Sequence, residues 1–187
     1  MKAIVCHELS GPAALRLEDV PEPQLGPSQV RVRVRACGVN FADSLIVRGQ
    51  YQMQPEPPFS PGFEVAGEVL EVGEGVTRLA VGERVIAITP HGGYAEQVVA
   101  NVNRCVPMPA AMPWEHGAAF PVVFGTSHVA LWHRARLRAG ETLVVHGASG
   151  GVGLTAVAIG KRLGARVIAT ASSPEKRVSP RWNSVCG

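Results

Sequence analysis

Apolar and polar residues alternate through much of the first hundred positions of the chain. In the clearest run, residues 29–36, three valines and an alanine alternate with three arginines. This period of two predicts a half-buried strand with an arginine face in water. Other short strands are predicted at residues 3–5, 15–20, 64–72, 82–89 and 92–99. Because Gly and Pro turns separate them, this region is predicted to be a β-rich unit with irregular loops.

Helical spacing of apolar residues follows at several places. Residues 40–47 form a short amphipathic segment that Asn40 can cap, residues 113–120 begin with a proline, and residues 126–136 form a third helix. The apolar run 143–145 is bounded by turn residues, which predicts a buried strand. A helix over residues 154–163, ended by Gly164, and a strand over residues 166–170 complete a β-α-β unit.

Glycines occupy the first turn of this β-α-β unit, in the spacing Ala148-x-Gly150-Gly151-x-Gly153. The first backbone amides of a helix have no partner within the helix, and the helix dipole favours an anion there. Glycines let such a ligand approach the backbone and let the helix pack closely on the strand. The pattern therefore indicates a dinucleotide pyrophosphate site, with a tight glycine turn that binds nothing as the alternative.

The end of the second strand indicates which dinucleotide is bound. NAD enzymes place an acidic residue near this tip to hold the ribose 2′-hydroxyl, and no acid stands there. Ser172 is followed instead by Lys176 and Arg177, which suits a 2′-phosphate and hence NADPH. Glu175 argues against this, although it lies beyond the tip, and the two basic residues also fit an ordinary solvated helix start.

Composition and charge narrow the classes of function. The 187 residues suffice for one or two domains, and a hydrophobic fraction of 46% is normal for a globular protein with a core. The net charge of +3 is too small to indicate a nucleic-acid partner, so the arginine face is read as solvated. Residues 161–187 carry six Lys or Arg against one Glu, which fits a phosphate-bearing ligand or simply a basic C-terminal end.

Cysteine usage and hydropathy bear on the compartment. The four cysteines form no C-x-x-C pair, and no secretory signal precedes the first strand. No apolar run approaches the roughly 20 residues of a membrane span. We therefore expect a soluble, cytoplasmic protein with free thiols and no membrane partner.

Five motifs occur together in the order of a known family. They are GVNFAD at residues 38–43, PGFEVAG at 61–67, VGERV at 81–85, GGYAE at 92–96 and GASGGVG at 147–153. With them, the order of a β-rich domain, two helices and a β-α-β unit resembles the medium-chain dehydrogenase/reductase superfamily. The chain is most similar to the zinc-free quinone oxidoreductase branch, which includes zeta-crystallin-like proteins. The resemblance covers about residues 1–177.

The resemblance implies a fold of class α/β plus β. A GroES-like β-rich catalytic domain over residues 1–123 would precede an incomplete Rossmann-type NADP-binding domain over residues 124–177. Zinc-dependent relatives carry a cysteine at the position of Asn40 and a histidine at that of Phe63, and the residues present in this chain are not normal zinc ligands. We therefore expect no metal. The dispersed histidines are expected at the surface or in packing; they include His91, His116, His128, His133 and His146.

Without a metal, the resemblance implies that NADPH delivers hydride to a quinone or an α,β-unsaturated carbonyl, while the protein supplies orientation and a proton. Tyr51 stands where related enoyl reductases place a proton donor, and a phenol with a pKa near 10 can protonate an enolate. A tyrosine that merely lines a pocket is the alternative. Asn40 would orient the acceptor or the nicotinamide ribose, act as the helix cap, or do both.

The cofactor-binding residues that the resemblance implies fall into three groups. Near the nicotinamide half would lie Phe41, Asp43 and Thr126. The pyrophosphate would be held by Gly150, Gly151, Val152 and Gly153. The adenosine 2′-phosphate would be held by Ser172 and Lys176. Full-length members of the family usually pair through the nucleotide domain, so homodimers are expected of them.

The family pattern stops near Arg177. A complete dinucleotide fold has six strands, whereas the pattern in this chain supplies two. Residues 178–187 contain Pro180 and Asn183 and no apolar face, so this atypical tail reads as an unrelated extension, as a frameshift or an early stop would produce. Two functions stay open, and nothing in the sequence selects a third, the purely structural crystallin-like role that the resemblance also allows. The chain is either a fragment of an NADPH-dependent reductase, or a non-catalytic remnant that binds nucleotide weakly or not at all.

Overall fold

A computed structural model of the chain describes residues 1–177. The predicted tail of residues 178–187 lies outside the described residues. The chain forms two compact units, Met1–Pro121 and a second unit that begins at Val122. Each unit has a hydrophobic cluster of its own.

The first unit is built on an antiparallel sheet of five strands. These are β3 (Gln29–Cys37), β4 (Glu64–Val72), β5 (Arg84–Ile88), β6 (Gln97–Asn101) and β7 (Cys105–Pro107). Their order across the sheet is β6-β3-β4-β5-β7. A hairpin of β1 (Lys2–Val5) and β2 (Arg16–Asp19) joins the rest of the unit through bridges of Ala3 with Ala95 and of Cys6 with Phe59. The predicted β-rich unit is therefore confirmed.

The apolar residues of the alternating strands form the core. The sheet curls because the pairing of β3 with β4 shifts register twice, after Arg31 and after Val34. The largest buried cluster contains Val30, Val32, Val65, Val69, Leu79, Val85, Ala87, Val98, Ala100, Val102 and Cys105. Burial of such side chains stabilises a fold by about 1.5–3 kcal/mol each, so this cluster contributes strongly to the stability of the unit.

The arginine face of β3 is balanced by carboxylates. Arg31 pairs with Glu22 at 2.7 Å and with Glu71 at 3.1 Å, and Arg35 pairs with Glu68 at 2.7 Å. Cross-strand pairs of opposite charge favour this register by a few tenths of a kcal/mol each, up to about 1 kcal/mol. A charge-balanced ladder of this kind is typical of a solvated strand face.

One predicted strand starts too early. The prediction for residues 92–99 is wrong at its beginning, because residues 92–94 bond to a loop instead of the sheet. The N–H groups of Gly92, Gly93 and Tyr94 donate to the carbonyls of Ser60, Gly62 and Pro61 at 2.7, 3.1 and 2.9 Å. A side chain at Gly62 would lie 2.8 Å from the Gly93 Cα, so the two backbones touch. The short strand β7 was not predicted.

Two short helices complete the first unit. They are α1 (Phe41–Ile46), capped by Asn40 as predicted, and α2 (Trp114–Ala118). The end of α2 packs on the sheet through Ala118, with Ala66, Ile86 and Met108. The Arg84 guanidinium lies 3.9 Å from the centre of the Trp114 ring, which fixes the loop that leads into α2.

The second unit contains one β-α-β motif in its described part. Helix α3 (Pro121–His128) continues as a π-helix (Val129–Arg134), and then come β8 (Thr142–Val145), α4 (Gly151–Arg162), β9 (Arg166–Ala169) and α5 (Pro174–Arg177). Strands β8 and β9 are parallel, and α4 packs on them through Val157. A side chain at Gly160 would meet Leu143 at 2.6 Å, so a glycine at this position lets α4 lie close to the sheet.

Two helix boundaries in this unit differ from the prediction. The helix predicted over 126–136 begins earlier, at Pro121, because proline suits a first turn, and its last part is a π-helix. Helix α4 was predicted to start at residue 154 but starts at Gly151, since the Leu154 N–H already donates to the Gly150 carbonyl at 2.8 Å. The glycine turn therefore forms the first turn of the helix.

Two general findings concern the described residues. None of their helices has the length and apolar character needed to cross a membrane. Cys6, Cys37 and Cys105 are free thiols, and two of them are fully buried in the first unit.

Candidate functional site

Several buried polar side chains of the first unit lie near the start of α1. Asn40 is extended just before the helix, and its backbone N–H donates to Oδ2 of Asp43 at 2.7 Å. The other carboxylate oxygen, Oδ1, accepts from the Gly62 N–H at 3.2 Å. Asp43 is 5% exposed, so its side chain ties the helix start to the 60–62 loop.

Burial sets the proton affinity of the Asp43 carboxyl. Removal from water raises its pKa, while hydrogen bonds from Asn40 and Gly62 and the nearby Tyr94 phenol oppose the rise. The Tyr94 hydroxyl itself is buried and reaches no partner in good hydrogen-bond geometry among the described residues. Its pKa is raised by burial and by the charge of Asp43. Asp43 was predicted near the nicotinamide, but its polar atoms face the interior.

The side chain of Asn40 is held by a residue that the sequence analysis missed. Its Nδ2 donates to Oε1 of Glu64 at 2.7 Å, and Glu64 is only 1% exposed at the start of β4. A side chain on Gly38 would lie 2.3 Å from that same oxygen and 2.6 Å from the Ala118 carbonyl. Gly38 therefore leaves the space in which the buried carboxylate meets Asn40. An acid at the start of a strand, followed by the small or apolar residues Val65, Ala66 and Gly67, was the available signal.

The two aromatic candidates of this region differ in exposure. Phe41 is 79% exposed on the first turn of α1. Tyr51 is half-buried in the following loop, with its ring centre 5.4 Å from that of Phe63. Because Phe63 precedes Glu64 in the chain, this contact brings Tyr51 near the start of β4, where Glu64 holds Asn40.

A protonated thiol lies beneath this cluster. Cys37 Sγ donates to the Glu64 carbonyl at 3.1 Å. Burial raises the pKa of the Cys37 thiol to about 12, and the charges of Asp43 and Glu64 add to the rise. Cys37 is therefore a neutral packing and hydrogen-bonding group at neutral pH. Among residues 1–177 no group of three His, Cys, Asp or Glu side chains is placed to hold a metal ion.

The glycine turn of the second unit has the geometry of a close backbone approach. Gly147 has φ +64°, and a side chain there would meet no atom within 4 Å. At Gly153, in contrast, a side chain would lie 2.5 Å from the Gly147 carbonyl and 2.6 Å from the Ala148 Cα. The Ala148 N–H donates to the Thr170 carbonyl at 2.9 Å, which joins the turn to the end of β9. Gly150 is the extended cap, and Gly151, Val152 and Gly153 form the first turn of α4.

Hydroxyl groups connect this turn to α3. The Ser127 and Thr155 hydroxyls are buried 2.8 Å apart, and the Ser127 hydroxyl donates to the Val152 carbonyl at 2.9 Å. Thr126, the predicted nicotinamide neighbour, is exposed and donates to the Val122 carbonyl within its own helix. Ser127 thus holds the first turn of α4, which the sequence did not indicate.

The two predicted 2′-phosphate residues lie side by side. The Lys176 ammonium donates to the Ser172 hydroxyl at 3.1 Å, and both side chains are exposed beyond the end of β9. Lys176 lies in the single turn of α5, so its backbone also agrees with the alternative prediction of an ordinary helix start. A cation and a hydroxyl at this strand tip suit a phosphate group.

Comparison with known proteins agrees with both units. The family described as alcohol dehydrogenase GroES-like domain matches residues 26–110. Quinone oxidoreductase of Rattus norvegicus is 42% identical over 179 residues, which cover 94% of this chain and 54% of that protein. A solved structure of the quinone oxidoreductase from Thermus thermophilus, described with its complex with NADPH, has a TM-score of 0.83 at 42% identity, covering 94% of this chain and 55% of the other.

The chain is a homologue of the quinone oxidoreductases over 94% of its length. A second solved relative in this family, from Pseudomonas syringae pv. Tomato, has a TM-score of 0.91 at 36% identity and covers 98% of this chain and 56% of its own. The predicted resemblance to the zeta-crystallin-like part of the medium-chain dehydrogenase/reductase superfamily is confirmed, as is the GroES-like plus Rossmann-type fold. Its relatives are named as oxidoreductases, so the family is enzymatic. The chain spans about half the length of the curated relatives it matches.

Proposed function

We propose that this chain carries the cofactor-binding and proton-donating residues of an NADPH-dependent reductase whose acceptor is a quinone or an α,β-unsaturated carbonyl. The observation that carries the proposal is the glycine turn, in which Gly153 packs against the turn backbone while the surface of Gly147 stays open. NADPH, when bound, supplies hydride to the acceptor. Relatives named quinone oxidoreductase, one of them solved with NADPH, support this choice of reaction and cofactor.

The turn fits a pyrophosphate on the grounds of its backbone alone. The amides of Gly151, Val152 and Gly153 form the first turn of a 12-residue helix, where backbone donors lack intrahelical partners. The positive end of the helix dipole favours a dianionic group there. The open space beside Gly147 leaves room for the ligand to contact the backbone.

The choice of NADPH over NADH rests on Ser172 and Lys176. Their side chains are joined at 3.1 Å and exposed, so a phosphate can accept from both. Hydrogen bonds between an ammonium and a phosphate are about twice as strong as neutral ones. NADH offers no phosphate to this pair and would also lack the acidic partner that a 2′-hydroxyl requires.

In the first unit, Tyr51 is the proposed proton donor and Asn40 the proposed orienting group. Reduction of a quinone or an enone requires a proton, and the half-buried Tyr51 phenol is the candidate source. The Asn40 amide uses one N–H toward Glu64 at 2.7 Å, and its second N–H remains to be donated to an acceptor oxygen. Glu64 thus fixes the direction in which Asn40 donates. Neither Asn40 nor Phe63 is a normal zinc ligand, and such acceptors need no Lewis acid, so we propose a reaction independent of zinc.

The first test is calorimetric titration of the 187-residue chain with NADPH and with NADH. We expect saturable binding of NADPH with a preference over NADH that Lys176→Gln reduces at least about tenfold, since a charge-assisted phosphate bond is lost. Lys161→Gln is the matched control, because Lys161 is also an exposed lysine near a helix end but lies at the C-terminal end of α4. Binding of neither dinucleotide by the folded chain would instead support the non-catalytic alternative.

The second test concerns the proton donor. Tyr51→Phe keeps the ring that packs on Phe63 at 5.4 Å, so the unfolding midpoint should not change. Turnover of a quinone or enone with NADPH should fall by about 100-fold or more if the phenol donates the proton. Unchanged turnover would remove Tyr51 from the mechanism and leave it as a pocket residue.

A further inference from the structure

Two histidines of the second unit, expected to be dispersed, lie side by side. The ring centres of His128 and His133 are 5.4 Å apart, with an angle of 76° between the ring planes. Both residues are exposed, at the end of α3 and within the π-helix that follows. The proposed reductase chemistry uses neither of them.

The π-helix is the reason that these two residues meet. In an α-helix, residues five apart point about 140° away from each other, because each residue adds about 100°. A π-helix bonds each N–H to the carbonyl five residues back, which places such residues on one face. The Ala135 N–H donates to the Ala130 carbonyl at 2.8 Å, which is this wider spacing. His128 and His133 therefore face each other only because the helix is a π-helix at this place.

The separation of the rings fits a shared metal ion. Zinc–imidazole bonds are about 2.0–2.1 Å long, and two imidazoles at a tetrahedral angle on one ion hold their ring centres roughly 5 Å apart. The observed separation of 5.4 Å between the ring centres is therefore close to that expected for two imidazoles on one ion. Imidazole is a ligand for borderline divalent cations such as Zn²⁺, Ni²⁺ and Cu²⁺.

The surroundings decide what kind of site this can be. Within residues 1–177 no third His, Cys, Asp or Glu completes a group of three ligands at this place, so water would fill the remaining positions. Arg134, next to His133, adds positive charge that weakens the attraction for a cation. Trp132 stacks parallel to the His128 ring, with 6.2 Å between ring centres, and so reports on an ion bound there.

We infer that His128 and His133 form an open, two-histidine binding site for a borderline divalent transition metal on the π-helix. The two histidines belong neither to the glycine turn nor to the Asn40 cluster, and the formation of the site does not depend on the proposed reductase activity. One ion binds per chain, with two imidazole ligands and water in the other positions.

The test is a titration of the tag-free, full chain with Ni²⁺, followed by tryptophan fluorescence, and with Zn²⁺, followed by calorimetry. We expect one ion per chain and quenching of Trp132 by Ni²⁺. His128→Asn and His133→Asn should each lower the affinity for both ions at least about tenfold. Loss of a residue that only supports a metal ligand already costs about this much. Trp132→Phe should abolish the quenching while calorimetric Zn²⁺ binding persists.

One control variant and two possible outcomes decide whether the inference stands. His116→Asn, a change at an exposed histidine of the first unit, should leave binding unaltered. If the wild-type chain binds neither ion, the inference is overturned, and the two rings are a packing contact. Undiminished binding by the double variant His128→Asn/His133→Asn would place the ion elsewhere, thiols included, and would overturn it equally. Dinucleotide binding is measured separately, so its failure leaves this result unaffected.

Discussion

At the scale of single residues, the site of the first unit depends on one buried carboxylate. Glu64 is 1% exposed and accepts from Asn40 at 2.7 Å, in a space that exists because residue 38 has no side chain. Burial of a polar group costs free energy unless the group is hydrogen-bonded. The position of Asn40 is therefore set by Gly38 and Glu64 together.

Gly38→Ala tests this arrangement. The new methyl group would lie 2.3 Å from Glu64 Oε1 and 2.6 Å from the Ala118 carbonyl, so the carboxylate and α2 must move. We expect a loss of about 1–3 kcal/mol in the free energy of unfolding, measured by urea titration. Gly125→Ala is the control, because its methyl group would meet no atom within 4 Å and sits in a helix. Equal stability of the two variants would contradict the proposed fit.

The thiols provide a pH-dependent prediction. Burial raises the pKa of Cys37 to about 12 and that of Cys105 to about 11, so both are protonated at pH 8. Only about one Cys37 in ten thousand is then a thiolate, and the thiolate is the form that reacts. We expect iodoacetamide to modify Cys37 in the native chain far more slowly than in urea, with a rate that still rises above pH 9. A native rate that levels off near pH 8.5, the ordinary pKa of a cysteine, would contradict the raised value.

At the scale of elements, the strand β8, the glycine turn and α4 act as one piece. The turn is tight because Gly153 touches the Gly147 carbonyl and the Ala148 backbone, and α4 is close to the sheet because of Gly160. Ser127 and Thr155 then attach α3 to the same helix start through buried hydroxyls. The direction of the first amides of α4 is thus fixed from two sides.

Two glycines of this turn should respond differently to an added methyl group. Gly153→Ala would collide with backbone atoms at 2.5 and 2.6 Å, and backbone cannot move aside cheaply. Gly150→Ala would meet only the Gly147 carbonyl, at 3.5 Å, and its φ of −80° suits any residue. We expect Gly153→Ala to lower the urea midpoint of the second unit, followed by the part of the tryptophan fluorescence that Trp132→Phe removes, and Gly150→Ala to leave it nearly unchanged. The reverse order would show that the turn is packed differently.

At the scale of the whole molecule, the two units differ in how completely their sheets are buried. Strands β3 and β4 each have neighbours on both sides and a large shared core. Strands β8 and β9 form a two-stranded parallel sheet whose outer residues Val144 and Ile168 are 50% and 42% exposed. Parallel sheets are normally covered on both faces, so we expect the second unit to be the less stable of the two.

Hydrogen exchange should reveal this difference. We expect the amides of β3 and β4 to exchange only through global unfolding of the first unit, and those of β8 and β9 to exchange orders of magnitude faster through local opening. Mass spectrometry of peptic fragments from the intact chain resolves the two sets. Similar protection of both sheets would mean that the second unit gains stability from contacts beyond its own core.

Local patterns in the sequence were sufficient for much of this protein. Alternation placed β3 and β4, Asn40 was recognised as a cap, and glycine spacing located the turn before α4, because these features depend on neighbours along the chain. The order of five motifs indicated the family, which the relatives confirm. The cofactor and catalytic roles of the site residues stay predictions.

Only the tertiary structure decided which distant residues meet. The loop 60–62 accepts hydrogen bonds from the backbone of residues 92–94. The buried Glu64 accepts a hydrogen bond from Asn40, and a π-helix places the ring of His128 beside that of His133. None of these contacts follows from the periodicity of the sequence, since each arises from backbone geometry or from the space that other residues leave. Sequence pattern thus determined the elements and the family, while packing determined the direction in which each polar side chain points.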